Sequence, residues 1–278
     1  KIVDSLYSEI DDSVFIANKE ILGFRNDDES KVTDFLEWID VARFPRIRFG
    51  QTEDSAYEDH ILKNVRYPYT TNYSEPYGSY EEFQKDKHWR SSKITIGQIE
   101  ELNSILEKAR FEDIIAWLHT DSRMNEMVRE GNELQGSYYE FWLKGKNVKR
   151  TMFSKNIASY ILWKIKIAPW IKTESGEKVK SDICCLSKTL IDMSPLIEVP
   201  AINLKDKAFK ENSIGQKDIE YILIKIGVPE NFANLPTETI YSILQKLESA
   251  DPEGKHAKNI YRQIIESKKR RGQTLIID

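Results

Sequence analysis

The sequence predicts an α+β fold, mainly α-helical, with one or two small β-hairpins set between helical ends. Two observations carry this. Apolar residues recur at three- and four-residue spacing, with start and stop signals, along most of the chain, whereas the period drops to two in only two short stretches.

Taking the elements in order, residues 13–22 read as a short helix with Val14, Ala17 and Ile21 inward, stopped at Gly23-Phe24. The acidic loop Asn26-Asp27-Asp28-Glu29-Ser30 leads into a second helix bearing Val32, Phe35, Leu36, Ile39 and Ala42. The same plan recurs at 222–247, and we read it as a generic capped helix pair rather than a duplication. Residues 43–49 alternate basic and apolar side chains and suit a short extended piece. Six of the thirteen tyrosines (Tyr57, Tyr67, Tyr69, Tyr73, Tyr77 and Tyr80) fall within 57–80. The stretch is poor in Lys and Arg, so it reads as a long loop pinned by rings with a wet end, not as a stacking platform for single strands.

Thr95-Ile96-Gly97-Gln98 has the form of a helix start, continued by Ile99, Leu102, Leu106 and Ala109, and 111–118 form a further helix. From Tyr138 to Phe153 the alternation of Tyr139, Phe141 and Leu143, the turn Lys144-Gly145-Lys146-Asn147, and the return through Val148 and Met152 spell a β-hairpin. Residues 157–167 read as a helix stopped by Pro169. Trp170-Ile171, the turn Thr173-Glu174-Ser175-Gly176 and residues 179–186 read as a second small β unit. Pro195 and Pro200 mark the joint into the most legible stretch, 213–271, which spells three helices. Ser213-Ile214-Gly215-Gln216 is a capping-box pattern, followed by Ile219, Ile222, Leu223 and Ile226 and ended by Gly227-Val228-Pro229. Pro236 opens the next helix, with Ile240, Leu244 and Leu247 inward. Asp251-Pro252 caps the last, with Ala257, Ile260, Tyr261, Ile264 and Ile265 expected on one buried face. The expected organisation is a helical region with a Tyr-rich loop over 1–90, a mixed helix and hairpin region over 91–200, and a three-helix module over 201–278.

Composition narrows function by exclusion. With 40% apolar and 31% charged residues the chain is of globular type, and its net charge of −4 gives no global drive toward nucleic acid or an anionic membrane. No apolar run approaches the ~20 residues of a membrane span. The chain opens at Lys1 with no signal-peptide pattern, which reads as a piece of a longer protein or a processed one. Cys184 and Cys185 are adjacent, a spacing that strains a disulfide, so both are expected to be buried free thiols in a reducing cytoplasm. Charge is uneven: residues 1–40 carry eleven acidic and four basic side chains, and 143–180 carry ten basic and two acidic.

The search for chemistry is mostly negative. No two of the twelve glycines lie closer than Gly131 and Gly136, which rules out the phosphate-cradling loops of nucleotide-binding folds. His60, His88, His119 and His256 are too dispersed for a local metal site, and no nucleophile elbow exists. Glu140, on the first strand of the expected hairpin, lacks the Glu-x-Lys spacing of metal-dependent nucleases. His119 and Asp121 are the least unsuited pair for a hydrolase assembled only by folding. The end of the last helix, Lys268, Lys269, Arg270 and Arg271, is the candidate phosphate or nucleic-acid contact; residues 255–271 carry seven basic side chains against one acidic. Such a cluster also complements the helix macrodipole without any ligand.

Several stretches together resemble the interior of large bacterial multidomain proteins that carry an Hsp90-like, sacsin-type ATP-binding domain. They are Phe35-Leu36-Glu37-Trp38-Ile39-Asp40-Val41 with Phe44-Pro45, residues 159–171 with Gly176, residues 222–232 and 240–247, Asp251-Pro252-Glu253-Gly254-Lys255, and Ile260-Tyr261. The family's ATP site needs an Asn near an Asp-Ala and a Gly-rich lid, and neither is present here. The resemblance therefore implies a middle segment outside the ATPase domain, with no catalytic residue and no cofactor. Its expected role is a non-catalytic scaffold, coupling or protein-interaction segment of a larger ATP-dependent protein, in contact with other domains of the parent chain or a protein partner. The alternative is a nucleic-acid-binding module using the basic 143–180 and 255–271 stretches.

Overall fold

A computed structural model describes residues 6, 44–61, 93–133, 138–143, 146–150, 152–186 and 197–270. The helices expected at 13–22 and 30–42, and the tyrosines from Tyr67 to Tyr80, lie outside the described residues. The architecture is α+β and mainly helical, as the periodicity predicts. Its described elements are β1 (Ile47–Gln51), α1 (Ser55–Ile61), β2 (Lys93–Ile99), α2 (Leu102–Lys108), α3 (Phe111–Thr120), α4 (Met124–Met127), β3 (Glu130–Glu133), β4 (Tyr138–Leu143), β5 (Lys146–Arg150) and β6 (Met152–Ala158). There follow α5 (Tyr160–Ile167), β7 (Ile171–Lys172), β8 (Lys178–Val179), α6 (Lys207–Glu211), α7 (Gln216–Lys225), a 3-10 turn (Phe232–Asn234), α8 (Thr237–Ala250) and α9 (Ala257–Arg270).

The chain folds as two compact units, one made of Lys1–Ala109 with Asp121–Lys164, the other of Arg110–Thr120 with Ile165–Asp278. In the first, antiparallel strands run in the order β1-β2-β4-β5, and β3 pairs with β6. The expected hairpin is there as β4 and β5, with Phe141 opposite Val148 and Leu143 opposite Lys146. It is the edge of a larger sheet than the sequence suggested.

Residues 93–99 are the main correction. They form β2, paired with β1 from Ile47–Ile99 to Gln51–Thr95, and not a helix start. Gly97 explains why the glycine sits there: an added Cβ would run into Met127 and would lie 2.9 Å from the Phe49 ring. A larger residue here would need the Met127 and Phe49 side chains to move aside. The helix begins at Leu102 instead, after Glu101 turns through a left-handed conformation.

The helix expected from Ile157 also starts later. Ala158 and Ile157 are spent pairing with Glu130 and Gly131 of β3. Ser159 then caps α5: its Oγ accepts from the Leu162 amide at 3.2 Å and donates to the Met127 carbonyl. Tyr57, expected in a loop, lies in α1 and is fully buried, its hydroxyl donating to the Ala158 carbonyl at 3.0 Å.

In the second unit, α3 buries Phe111, Ile114, Ile115, Ala116, Trp117 and Leu118, almost its whole circumference, and packs against α6 and α7. The Phe111 and Trp170 rings stack 5.8 Å apart, and the Trp170 indole N–H donates to the Ile165 carbonyl at 2.9 Å. The small β unit appears as β7 paired with β8, Ile171 opposite Val179. All three C-terminal helices are present. α7 buries Ile219, Ile222 and Leu223, and Ile226 at its end, and stops through Gly227 at φ 97°. There the Val228 amide reaches the Leu223 carbonyl and the Gly227 amide the Ile224 carbonyl, each at 2.9 Å. This double closure satisfies carbonyls the helix would otherwise orphan. Its start differs from the Ser213 pattern: Gly215 is the cap, and Asp218 reaches back to the Gly215 amide at 2.9 Å. α8 and α9 share one core, in which Ile240, Ile243, Leu247, Ile260 and Ile264 pack with Phe232, Leu235, Cys185 and Ile197.

Candidate functional site

Chemistry-bearing side chains gather in four places. In the first unit, Asp54 caps α1 by accepting the Ala56 and Tyr57 amides at 3.1 and 3.2 Å. The same carboxylate takes the Tyr160 hydroxyl at 3.2 Å and the Lys164 ammonium at 2.5 Å. Burial alone would raise the Asp54 pKa, but the Lys164 ammonium, the Tyr57 amide and the Tyr160 hydroxyl overcome it and hold the carboxyl below its ordinary range. Lys164 lies 5.3 Å from the Trp163 ring centre and 5.6 Å from that of Tyr160. Tyr57 closes the cluster edge-on to Tyr160 at 5.1 Å. With two amides, a hydroxyl and an ammonium already donating to it, the carboxylate has no capacity left for general-base work. The arrangement staples α1 to α5.

Arg110 plays a similar part in the second unit. Its guanidinium bonds Asp113 at 2.9 Å and Asp206 at 2.8 Å, and Asp206 in turn caps α6 through the Ala208 amide. Desolvation opposes the charge on Arg110, yet the carboxylates of Asp206 and Asp113 outweigh it and push its pKa up.

The two residues that sequence offered for a hydrolase engage separate partners. His119 Nε2 stands 4.0 Å from Asp218 Oδ1, the carboxylate that caps α7. Asp121 is clasped by Arg123 through contacts of 2.8 and 2.6 Å, and Arg123 also donates to the Pro45 carbonyl at 2.9 Å. Among the described residues no group of three or more His, Cys, Asp or Glu side chains is arranged to hold a metal ion.

A groove on the second unit is bordered by Glu174, Val199, Ile202, Leu204, Gln216 and Glu220, with a volume of about 90 Å³. That is well below the ~300–1,000 Å³ of ordinary small-molecule pockets. Gln216 and Glu220 bond one another across 2.6 Å, so part of the groove's polar capacity is already used.

The fourth place is the solvent side of the C-terminal helices. Lys268, Lys269 and Arg270 fall in the last turn of α9, and Arg271 lies outside the described residues. Tyr261 and Ile265, expected on the buried face of that helix, are 50% and 39% exposed. Ile260 and Ile264 fill the core with Ala257 partly buried against it, and the helix turns Tyr261 and Ile265 toward water beside the exposed Lys258 and Arg262. α7 repeats the pattern with exposed Lys217, Tyr221 and Ile224, and α8 exposes Tyr241. The spacing held a signal for this: an apolar stripe five residues wide is broader than a two-helix contact needs, and its outer members carry the surplus.

No helix among the described residues is long and apolar enough to cross a membrane. Comparison of the chain with protein-family models, with curated proteins and with solved structures found no match.

Proposed function

We propose that this chain is a non-catalytic scaffold, coupling or protein-interaction segment of a larger ATP-dependent multidomain protein, of the Hsp90-like, sacsin-type class whose interior it resembles. One observation carries the reading. The second unit leaves Tyr221, Tyr241 and Tyr261 at least half exposed, with Ile224 and Ile265 about 40% exposed. Tyrosine contributes large, stiff contact area and is enriched where protein surfaces bind one another. The conspicuous polar clusters support the same reading, because Asp54, Asp121 and Asp206 each cap or brace local structure. Two buried free thiols, Cys184 and Cys185, suit work in a reducing cytoplasm.

The test is titration of the purified chain with Mg-ATP by calorimetry, alongside a phosphate-release assay. No heat and no turnover are expected. Saturable ATP binding or hydrolysis by this chain would sink the reading. The nucleic-acid alternative rests on the basic end of α9 and predicts oligonucleotide binding that falls steeply with salt.

A further inference from the structure

We infer that the solvent face of α9 docks an acidic, apolar-striped helical segment of a protein partner. This rests on the interaction-segment reading above and adds to it the surface and the chemistry of what binds there.

Lys258, Tyr261, Arg262 and Ile265 stand at positions i, i+3, i+4 and i+7, a spacing that sets them along one side of the helix. All four are exposed, while Ile260 and Ile264 on the other side are buried at 0% and 6%. Tyr261 and Ile265, one turn apart, make a short apolar ridge, and Lys258 and Arg262 flank it. Along α9 the sequence sets Lys258, Arg262, Lys268, Lys269 and Arg270 against Glu266 alone, which stands one turn beyond Arg262, so the helix carries a net positive charge. A ridge of this kind complements a helix whose own apolar stripe is bordered by carboxylates, the pairing logic by which flanking charges choose partners in helix-to-helix contacts. Tyr and Arg are also the residue types that dominate binding energy at such surfaces.

Shape separates this partner from other anions. The chain as a whole carries −4 and gives no long-range drive toward any anion, so attraction of an acidic partner rests on the local positive charge of α9. Tyr261 offers a single ring, fewer than the successive aromatics of a stacking platform for bases, while Ile265 fits against an aliphatic stripe. A membrane-surface helix would present its broad apolar face to lipid, whereas here Ile260 and Ile264 are committed to the core they share with α8.

The test uses the full chain and four fluorescent probes. They are a synthetic amphipathic peptide with a leucine stripe bordered by glutamates, the same peptide with lysines in their place, a single-stranded oligothymidylate, and vesicles rich in phosphatidylserine. The glutamate peptide should bind saturably, and the lysine peptide should not. Tyr261→Ala with Ile265→Ser should weaken the glutamate peptide about tenfold or more. Lys258→Glu with Arg262→Glu should reverse the preference toward the lysine peptide. All four positions are exposed, and unchanged circular dichroism will show that the variants fold. Absence of glutamate-peptide binding, binding that ignores these substitutions, or tighter binding to the oligonucleotide or the vesicles would each overturn the inference. None of those results touches the ATP titration, so failure of the surface and failure of the scaffold reading remain distinct.

Discussion

Replacing Lys164 with methionine isolates the staple that joins α1 to α5. Methionine keeps most of the side-chain volume and removes the ammonium 2.5 Å from Asp54. The two side chains are only 15% and 17% exposed, so the orphaned carboxylate cannot recover full hydration. Breaking a fully buried pair from one side costs roughly 3–5 kcal/mol. Asp54 keeps the Ala56 and Tyr57 amides and the Tyr160 hydroxyl, which lowers the expected loss. We expect about 2–3 kcal/mol, one strong charged hydrogen bond plus the contact of the cation with the Tyr160 and Trp163 rings. Asp54→Asn supplies the other arm, since asparagine caps a helix about as well as aspartate and leaves that function intact. A double-mutant cycle by urea unfolding, followed by circular dichroism and tryptophan fluorescence, should give a coupling of about 1–2 kcal/mol. The pH dependence has a definite sign. Because the Asp54 pKa is lowered in the folded protein, its stabilisation is present above the unfolded value near ~3.9 and is lost as pH falls through the lowered one. The gap between wild type and Lys164→Met should therefore stay flat from about pH 8 to 5 and close below about pH 4. A Lys164→Met protein within about 0.5 kcal/mol of wild type, or a coupling near zero, would refute the staple.

Gly227→Ala should cost about 1–2 kcal/mol in the same unfolding assay, because φ is 97° there and a new Cβ would meet the Lys166 side chain at 2.9 Å. Trp170→Ala empties a fully buried site against Phe111 and should lose about 3–5 kcal/mol, read as the urea midpoint of the second unit. Cys184 is buried and its pKa is pushed up, first by desolvation and then by neighbouring Cys185. A thiol-specific chromogenic reagent should therefore find almost no reactive cysteine in the native protein and both in urea; rapid labelling of the folded chain would contradict this.

Periodicity located the C-terminal helices well because each carries a stripe of Ile and Leu bounded by a physical stop, such as Gly227 or Asp251. It failed where a local pattern was outvoted by tertiary pairing. Thr95 to Gln98 has helix-start residues, but β1 and β4 lie on either side and draw the segment into the sheet. Ile157 is helix-compatible, yet β3 claims it first. Strand partners more than 25 residues away leave no trace in a window of ten. The staple was equally hidden, since Asp54 and Lys164 are 110 positions apart in sequence. The exposed ridge of α9 is half visible in the sequence: the spacing marks its residues, but which edge of a wide stripe faces water depends on how much neighbour there is to cover it.

The way the chain weaves between its two units has a practical result for anyone dissecting it. α3 is spelled between two segments of the first unit, yet it belongs to the second. Truncation at residue 165 would strip Trp170 of the Phe111 ring and Asp206 of Arg110. A soluble C-terminal fragment is best sought by splicing residues 110–120 ahead of 165, so that the cut follows the contacts and not the ribbon.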